Sequence, residues 1–168
     1  FYIAIFIVLV GLMARFLANK DDDRAQFRVI YWPAGLSFLA ASMLSFALAP
    51  WGGKIVLAFA NLSLLAGIAN ISLLFSFWND SLRRSTKLIG GALIIASSLA
   101  YLYLLILGTT QDRIHLMNAV LSIFCIWQIA TLIQLLKKDN AYQIKLLLGV
   151  ELFQLGARVI RSLLALGE

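Results

Sequence analysis

Charged residues are scarce in this chain, and their scarcity indicates the solvent that surrounds it. Asp, Glu, Lys and Arg make up 13% of the 168 residues, whereas 62% of the residues are hydrophobic. Soluble domains contain about 25% charged residues, so half of that fraction indicates that lipid surrounds most of the chain. The formal net charge of +6 does not indicate nucleic-acid binding. The basic residues stand singly or in pairs at the ends of hydrophobic segments, where they orient helices and meet anionic headgroups.

Cysteine and histidine each occur once, at Cys125 and His115. A single cysteine excludes an internal disulfide and a cysteine-built metal site, and its place within an apolar segment is typical of a small buried hydrophobe. Haem b in a membrane usually takes two facing histidines, and a metal hydrolase needs more ligands than the apolar segments offer. A retinal-binding lysine would stand in the middle of a late segment, but Lys145 stands at the start of one. We therefore predict no catalytic residues, no metal and no cofactor in this chain.

Six hydrophobic segments are each long enough to cross about 30 Å of hydrocarbon at 1.5 Å per helical residue. The connections between them are short, so consecutive helices must be antiparallel. No repeat or linker divides the chain. We therefore predict a single all-α transmembrane domain over residues 1–168, with helices at about 1–17, 29–51, 55–78, 88–108, 116–136 and 144–166.

The distribution of basic residues predicts the orientation of these helices. Lys54 and Arg113 are the only basic residues of the second and fourth connections. Because loops rich in Lys and Arg stay in the cytoplasm, we predict that the N-terminus is outside. Six crossings leave Glu168 outside as well, so a cytoplasmic domain after this chain would require a seventh helix. The basic residues of the first, third and fifth connections and their flanks are Arg15, Lys20, Arg24, Arg28, Arg83, Arg84, Lys87, Lys137, Lys138 and Lys145.

Polar side chains recur along one face of the last segment. Glu151, Gln154, Arg158 and Arg161 are spaced by three, four and three residues, which places them on one side of a helix. Ionisable groups at membrane depth are costly unless they face protein, water or each other, so the other helices are expected to pack around this face. Arg158 is about 10 Å from Glu151 along the helix, too far for an easy ion pair. The candidate ligand-binding residues are Glu151, Gln154, Arg158, Asn61, Asn70 and Gln128.

Two interpretations of these polar residues stay open. The amides either form interhelical hydrogen bonds, worth about 0.6 kcal/mol each, or line a ligand pocket with the last helix. Glu151 either stabilises the helix packing or forms a ligand-binding or proton-coupled site. In both cases we expect it to find a partner on another helix, with Asn61, Asn70 and Gln128 as candidates, or to be protonated.

Several short motifs resemble the N-terminal membrane sensor regions that precede bacterial GGDEF (diguanylate cyclase) domains and some histidine kinases. Residues 32–36 read WPAGL, like the W-x-x-G-L of that family. Residues 55–67 read IVLAFANLSLLAG, which is similar to a family run in which Asn61 and Gly67 are the marked positions. The family's further glycine in this helix is not evident where Asn70 and Ser72 stand. Other similar stretches are Arg83-Arg84, Arg113-Ile114 and residues 157–163.

The resemblance implies a seven-helix module in the bacterial inner membrane, with the N-terminus outside and an output domain in the cytoplasm. It also implies a small lipophilic ligand and a homodimer formed through the output domain. We predict no nucleic-acid partner, because the basic residues stand at the ends of the hydrophobic segments. Two alternatives from other classes stay open. A small transporter or channel would be favoured by broken helices or an inverted repeat. An accessory subunit of a larger membrane complex would be favoured by a polar or glycine-rich outward face.

Overall fold

The computed structural model of this chain describes residues 25–79, 84–138 and 141–166, with side chains for residues 31–79, 84–138 and 141–160. All secondary structure in these ranges is helical, which confirms the predicted all-α class for this part of the chain. The first predicted helix, residues 1–17, lies outside the described ranges. The helices are α1 (Ala25–Trp78), α2 (Arg84–Leu107), α3 (Thr110–Lys138) and α4 (Tyr142–Leu166).

Helix α1 combines two of the predicted helices and is broken at Gly53. The backbone of Gly53 has φ 62° and ψ −150°, a conformation that is almost restricted to glycine because a Cβ atom would be strained there. The break separates a first limb, residues 25–52, from a second limb, residues 54–78. It lies between the predicted helices 29–51 and 55–78. The interruption is narrower than the predicted gap of residues 52–54, because Gly53 is the residue with a non-helical backbone.

Helices α2, α3 and α4 correspond to the predicted segments 88–108, 116–136 and 144–166, but each begins earlier. The prediction counted apolar residues, whereas a helix continues through polar residues until a cap satisfies its terminal backbone groups. At the start of α3 this cap is visible. The Thr109 amide donates to Asp112 Oδ2 at 2.8 Å, and the Asp112 amide donates to Thr109 Oγ1 at 3.2 Å. This reciprocal pair is a capping box.

Asp112 is exposed in the first turn of α3, ahead of the apolar part of this helix, which begins at Leu116. Its carboxylate accepts a hydrogen bond from the Thr109 hydroxyl at 2.7 Å as well as the one from the Thr109 amide. These hydrogen bonds satisfy terminal backbone groups at the start of α3 and fix where the helix begins.

The chain divides into two compact units, Phe1–Leu74 and Phe75–Glu168. In the first unit the two limbs of α1 pack as an antiparallel hairpin with their backbones in contact. A Cβ atom on Gly67 would lie 2.9 Å from Leu39 Cγ and 3.1 Å from the carbonyl oxygen of Gly35. Small residues at a helix crossing allow this close approach, which is how helices gain packing energy in lipid.

In the second unit, α3 is the central helix and packs against both α2 and α4. Only residues 108 and 109 connect α2 to α3, so these two helices are antiparallel neighbours. The core of the unit includes fully buried aromatic side chains, Phe75 from the end of α1, Tyr101 from α2 and Phe124 from α3. Buried positions recur along the whole length of α3.

Three helical stretches in the described part are long and apolar enough to cross a membrane, Tyr31–Trp78, Arg84–Leu107 and Thr110–Lys138. Large apolar side chains such as Ile95, Leu99 and Ile106 on α2 are exposed, which is typical of a lipid-facing surface. The chain is therefore a membrane protein. Helix α4 differs from the others because Lys145, Glu151 and Arg158 interrupt its apolar sequence.

Candidate functional site

Glu151 is the buried carboxyl group of α4, with 8% of its surface exposed. Between residues 142 and 160 of α4, only Leu147 and Glu151 are buried. These two residues are one helical turn apart and therefore lie on the same face. The face that α4 turns toward the rest of the second unit thus carries an ionisable group near its centre.

Cys125 of α3 is the hydrogen-bond partner of Glu151. Its Sγ atom lies 3.2 Å from Glu151 Oε2 and 3.2 Å from the Glu151 carbonyl oxygen, so the thiol donates to either acceptor. Cys125 itself is 3% exposed. We predicted either a partner on another helix or a protonated carboxyl group. The thiol of Cys125 is a partner on another helix, but it is not one of the amides Asn61, Asn70 and Gln128 that we named.

The sequence holds a signal for this pair that the helical period of the polar residues does not show. The connection between α3 and α4 is short, so residues equally distant from it lie at similar depths. Counting along the two helices from this connection places Cys125 and Glu151 within about one turn of each other. A cysteine side chain is a small hydrophobe, as predicted for Cys125, but it also carries a weak S–H donor that a carboxyl group can accept.

Gln154 and Arg158 continue the polar face along α4, and both are half-buried. Arg158 Nε is buried and has no hydrogen-bond partner in the described part of the chain. In the described part of the chain, the guanidinium does not form an ion pair with Glu151. The predicted separation along the helix explains this arrangement. The side chain of Arg161 lies outside the described side chains.

The three amide candidates have different environments. Gln128 is buried one turn along α3 from Cys125, in the second unit. Asn61 and Asn70 belong to the first unit, where each donates a hydrogen bond to its own helix, at 2.9 Å to the Leu57 carbonyl and 2.8 Å to the Ala66 carbonyl. Bonds of this type satisfy a polar side chain in lipid without a second helix.

A second polar cluster joins the end of α1 to the opposite side of α3. Trp127 Nε1 donates to Ser76 Oγ at 3.1 Å, and the Asn79 amide group donates to Gln134 Oε1. Lys138 Nζ donates to the Asn79 carbonyl oxygen at 2.9 Å. Trp127, Gln134 and Lys138 lie on one face of α3 because their spacings are seven and four residues, and Cys125 lies on the other face. Helix α3 therefore contacts Glu151 on one side and the end of α1 on the other.

No protein-family model, curated protein or solved structure matches this chain.

Proposed function

We propose that this chain is the membrane-embedded input module of a signalling protein in the bacterial inner membrane. It forms six helices of a multi-pass, seven-helix bundle with the N-terminus outside, and it regulates a cytoplasmic diguanylate cyclase or histidine kinase output domain. A small lipophilic ligand is its stimulus, and the output domain forms a homodimer. The single observation that supports this proposal is the buried Glu151 in the contact between α3 and α4. An ionisable side chain at membrane depth costs free energy of insertion, so such residues are rare and usually have a function.

The pair of Cys125 and Glu151 supplies a mechanism for such a module. A thiol is a weak donor, so the carboxyl group is incompletely satisfied in a low-dielectric contact. A ligand or proton that binds Glu151 better than Cys125 does would shift α4 against α3. The cluster of Trp127, Gln134 and Lys138 would carry that movement to the end of α1. Small helix shifts of this type are a common form of signal transmission.

We expect Glu151→Gln to change the basal output of the full-length protein without changing its folding yield. Gln has nearly the same shape as Glu but neither the charge nor the proton. Coupling between two sites is typically at least about fivefold, so we expect the basal output to change by at least about that factor. The measurement is cyclic dinucleotide synthesis or autophosphorylation in membrane vesicles, as the output domain dictates.

Asp112→Asn is the matched control for this variant. It makes the same carboxyl-to-amide change on the exposed first turn of α3 and should leave the output unchanged. Unchanged yield and unchanged output in Glu151→Gln would remove the basis of the proposed sensor function.

The proposed orientation makes a separate prediction. A reporter fused after Ser85 should report the cytoplasm, and one fused after Thr110 should report the outside, because basic loops are retained in the cytoplasm. Paired alkaline phosphatase and fluorescent-protein fusions at both positions measure this directly. The two fusion sites serve as controls for each other, and reversed signals would contradict the orientation.

One observation favours a second function, an accessory subunit that packs against other helices of a larger complex. Gly149 and Gly156 are exposed on α4, and a Cβ atom at either position would meet nothing within 4 Å. Their spacing of seven residues places them on one face, where glycines allow another helix to approach closely. Stoichiometric purification with a second polypeptide, and loss of the fold without it, would favour this function over the sensor module.

A further inference from the structure

One end of the second unit is strongly basic. Helix α2 begins, α3 ends and α4 begins at this end, because the three helices are consecutive and antiparallel. Among the described side chains at this end, five basic ones are exposed, Arg84, Lys87, Lys137, Lys138 and Lys145.

Acidic residues of the sequence do not neutralise this end. Residues 79–87 and 137–145 contain six Lys or Arg and two Asp, which gives a net charge of 6 − 2 = +4. At the opposite end of α2 and α3, residues 107–115 contain Arg113 and Asp112, which cancel with His115 neutral. The two ends of the same helices therefore differ sharply in charge.

Lys138 has a structural partner at this end, because its Nζ atom binds the Asn79 carbonyl oxygen. Within the described residues, no hydrogen bond or ion pair engages the side chains of Arg84, Lys87, Lys137 or Lys145. These four cations are available to an external anion.

Exposed apolar side chains directly follow two of these cations. Leu88 and Ile89, next to Lys87, are 64% and 65% exposed, and Leu146, next to Lys145, is also exposed. A free inorganic anion would use the cations alone. A phospholipid uses both features, since its phosphate meets Lys or Arg while its acyl chains lie against Leu and Ile.

We propose that this basic end binds anionic phospholipids, with Arg84, Lys87, Lys137 and Lys145 contacting the headgroup phosphates. The exposed Leu88, Ile89 and Leu146 contact the acyl chains. Binding of anionic phospholipids is independent of the proposed signalling function, because it follows only from the charge and exposure of these helix ends.

Native mass spectrometry of the full chain in mild detergent tests the proposal, with dioleoylphosphatidylglycerol and dioleoylphosphatidylcholine titrated separately. We expect the wild type to bind the anionic lipid at least about fivefold more tightly than the zwitterionic lipid. Lys137→Gln alone should lower the affinity for the anionic lipid about fivefold, the factor that corresponds to about 1 kcal/mol per surface cation. The quadruple variant Arg84→Gln, Lys87→Gln, Lys137→Gln, Lys145→Gln should bind both lipids equally.

Two control variants separate charge from folding. Lys54→Gln combined with Arg113→Gln removes cations elsewhere and should keep the preference for the anionic lipid. Lys87→Arg, Lys137→Arg and Lys145→Arg together keep the charge and should also keep the preference. Circular dichroism of each variant checks its helix content. If the quadruple variant does not fold, the affinity of the single variant Lys137→Gln for the anionic lipid tests the proposal.

Three results would overturn the proposal. The wild type could bind the two lipids equally, or the quadruple variant could retain the preference. As a third result, sodium phosphate could raise the thermal unfolding temperature of the protein as much as the anionic lipid does. The basic end would then be a site for simple anions.

Discussion

Gly67→Leu is expected to prevent the first unit from folding. Already a Cβ atom at this position would approach the Gly35 carbonyl oxygen to 3.1 Å, and a backbone atom in a helix cannot move aside as a side chain can. The longer leucine side chain would push the two limbs of α1 apart. Adding a methylene or methyl group to a well-packed contact usually costs about 1–3 kcal/mol of stability. We expect at least that loss for Gly67→Ala and a larger loss for Gly67→Leu.

The control for this prediction is Gly91→Ala in α2. A Cβ atom on Gly91 would meet nothing within 4 Å, and alanine in a helix interior is favoured over glycine by up to about 1 kcal/mol. Titration with sodium dodecyl sulfate, followed by circular dichroism, measures the stability of both variants. Equal stability of Gly67→Leu and the wild type would show that the limbs do not pack through their backbones at Gly67.

Phe124→Ala should cause the second large loss of stability. Phe124 is 0% exposed at the centre of α3, and its ring stacks on Trp127 with the ring centroids 6.1 Å apart. In lipid, a phenyl ring is surrounded by apolar groups both in the packed unit and after the helices separate. The free energy of transferring the ring therefore largely cancels, and the cost of the substitution is the cavity that it leaves. A cavity of roughly 100 Å³ at about 24 cal/mol per Å³ costs about 2 kcal/mol.

Ile126→Ala is the matched control, because Ile126 is 56% exposed on the same helix. Its truncation removes contacts with lipid and should change the unfolding free energy by less than about 0.5 kcal/mol. The same denaturant titration compares the two. A loss for Ile126→Ala as large as that for Phe124→Ala would indicate that position 126 is buried by another helix.

The helical class and most helix positions could be predicted because lipid leaves the backbone few alternatives. A long apolar segment in hydrocarbon must satisfy its own hydrogen bonds, and a helix does so locally. The break at Gly53 was also predictable in place, between two apolar segments. Its extent was not, because the number of residues that leave the helix there depends on local backbone geometry and not on composition.

The candidate site was predictable only in part. The polar face of α4 follows from helical periodicity, and a buried Glu151 follows from the cost of exposing a carboxyl group to lipid. Its partner does not follow, because several polar residues on other helices were equally plausible. The local hydrogen bonds of Asn61 and Asn70 also depend on side-chain rotamers that no periodicity predicts.

The sequence by itself determined that this protein is helical and lies in a membrane, and that one face of its last helix is polar. Composition and helical period are properties of a single segment, and they hold whatever the neighbours are. Only the tertiary structure decided that Cys125 meets Glu151 and that Gly67 touches the other limb of α1. Such contacts depend on the rotation and relative depth of two helices, which many residues set jointly through packing.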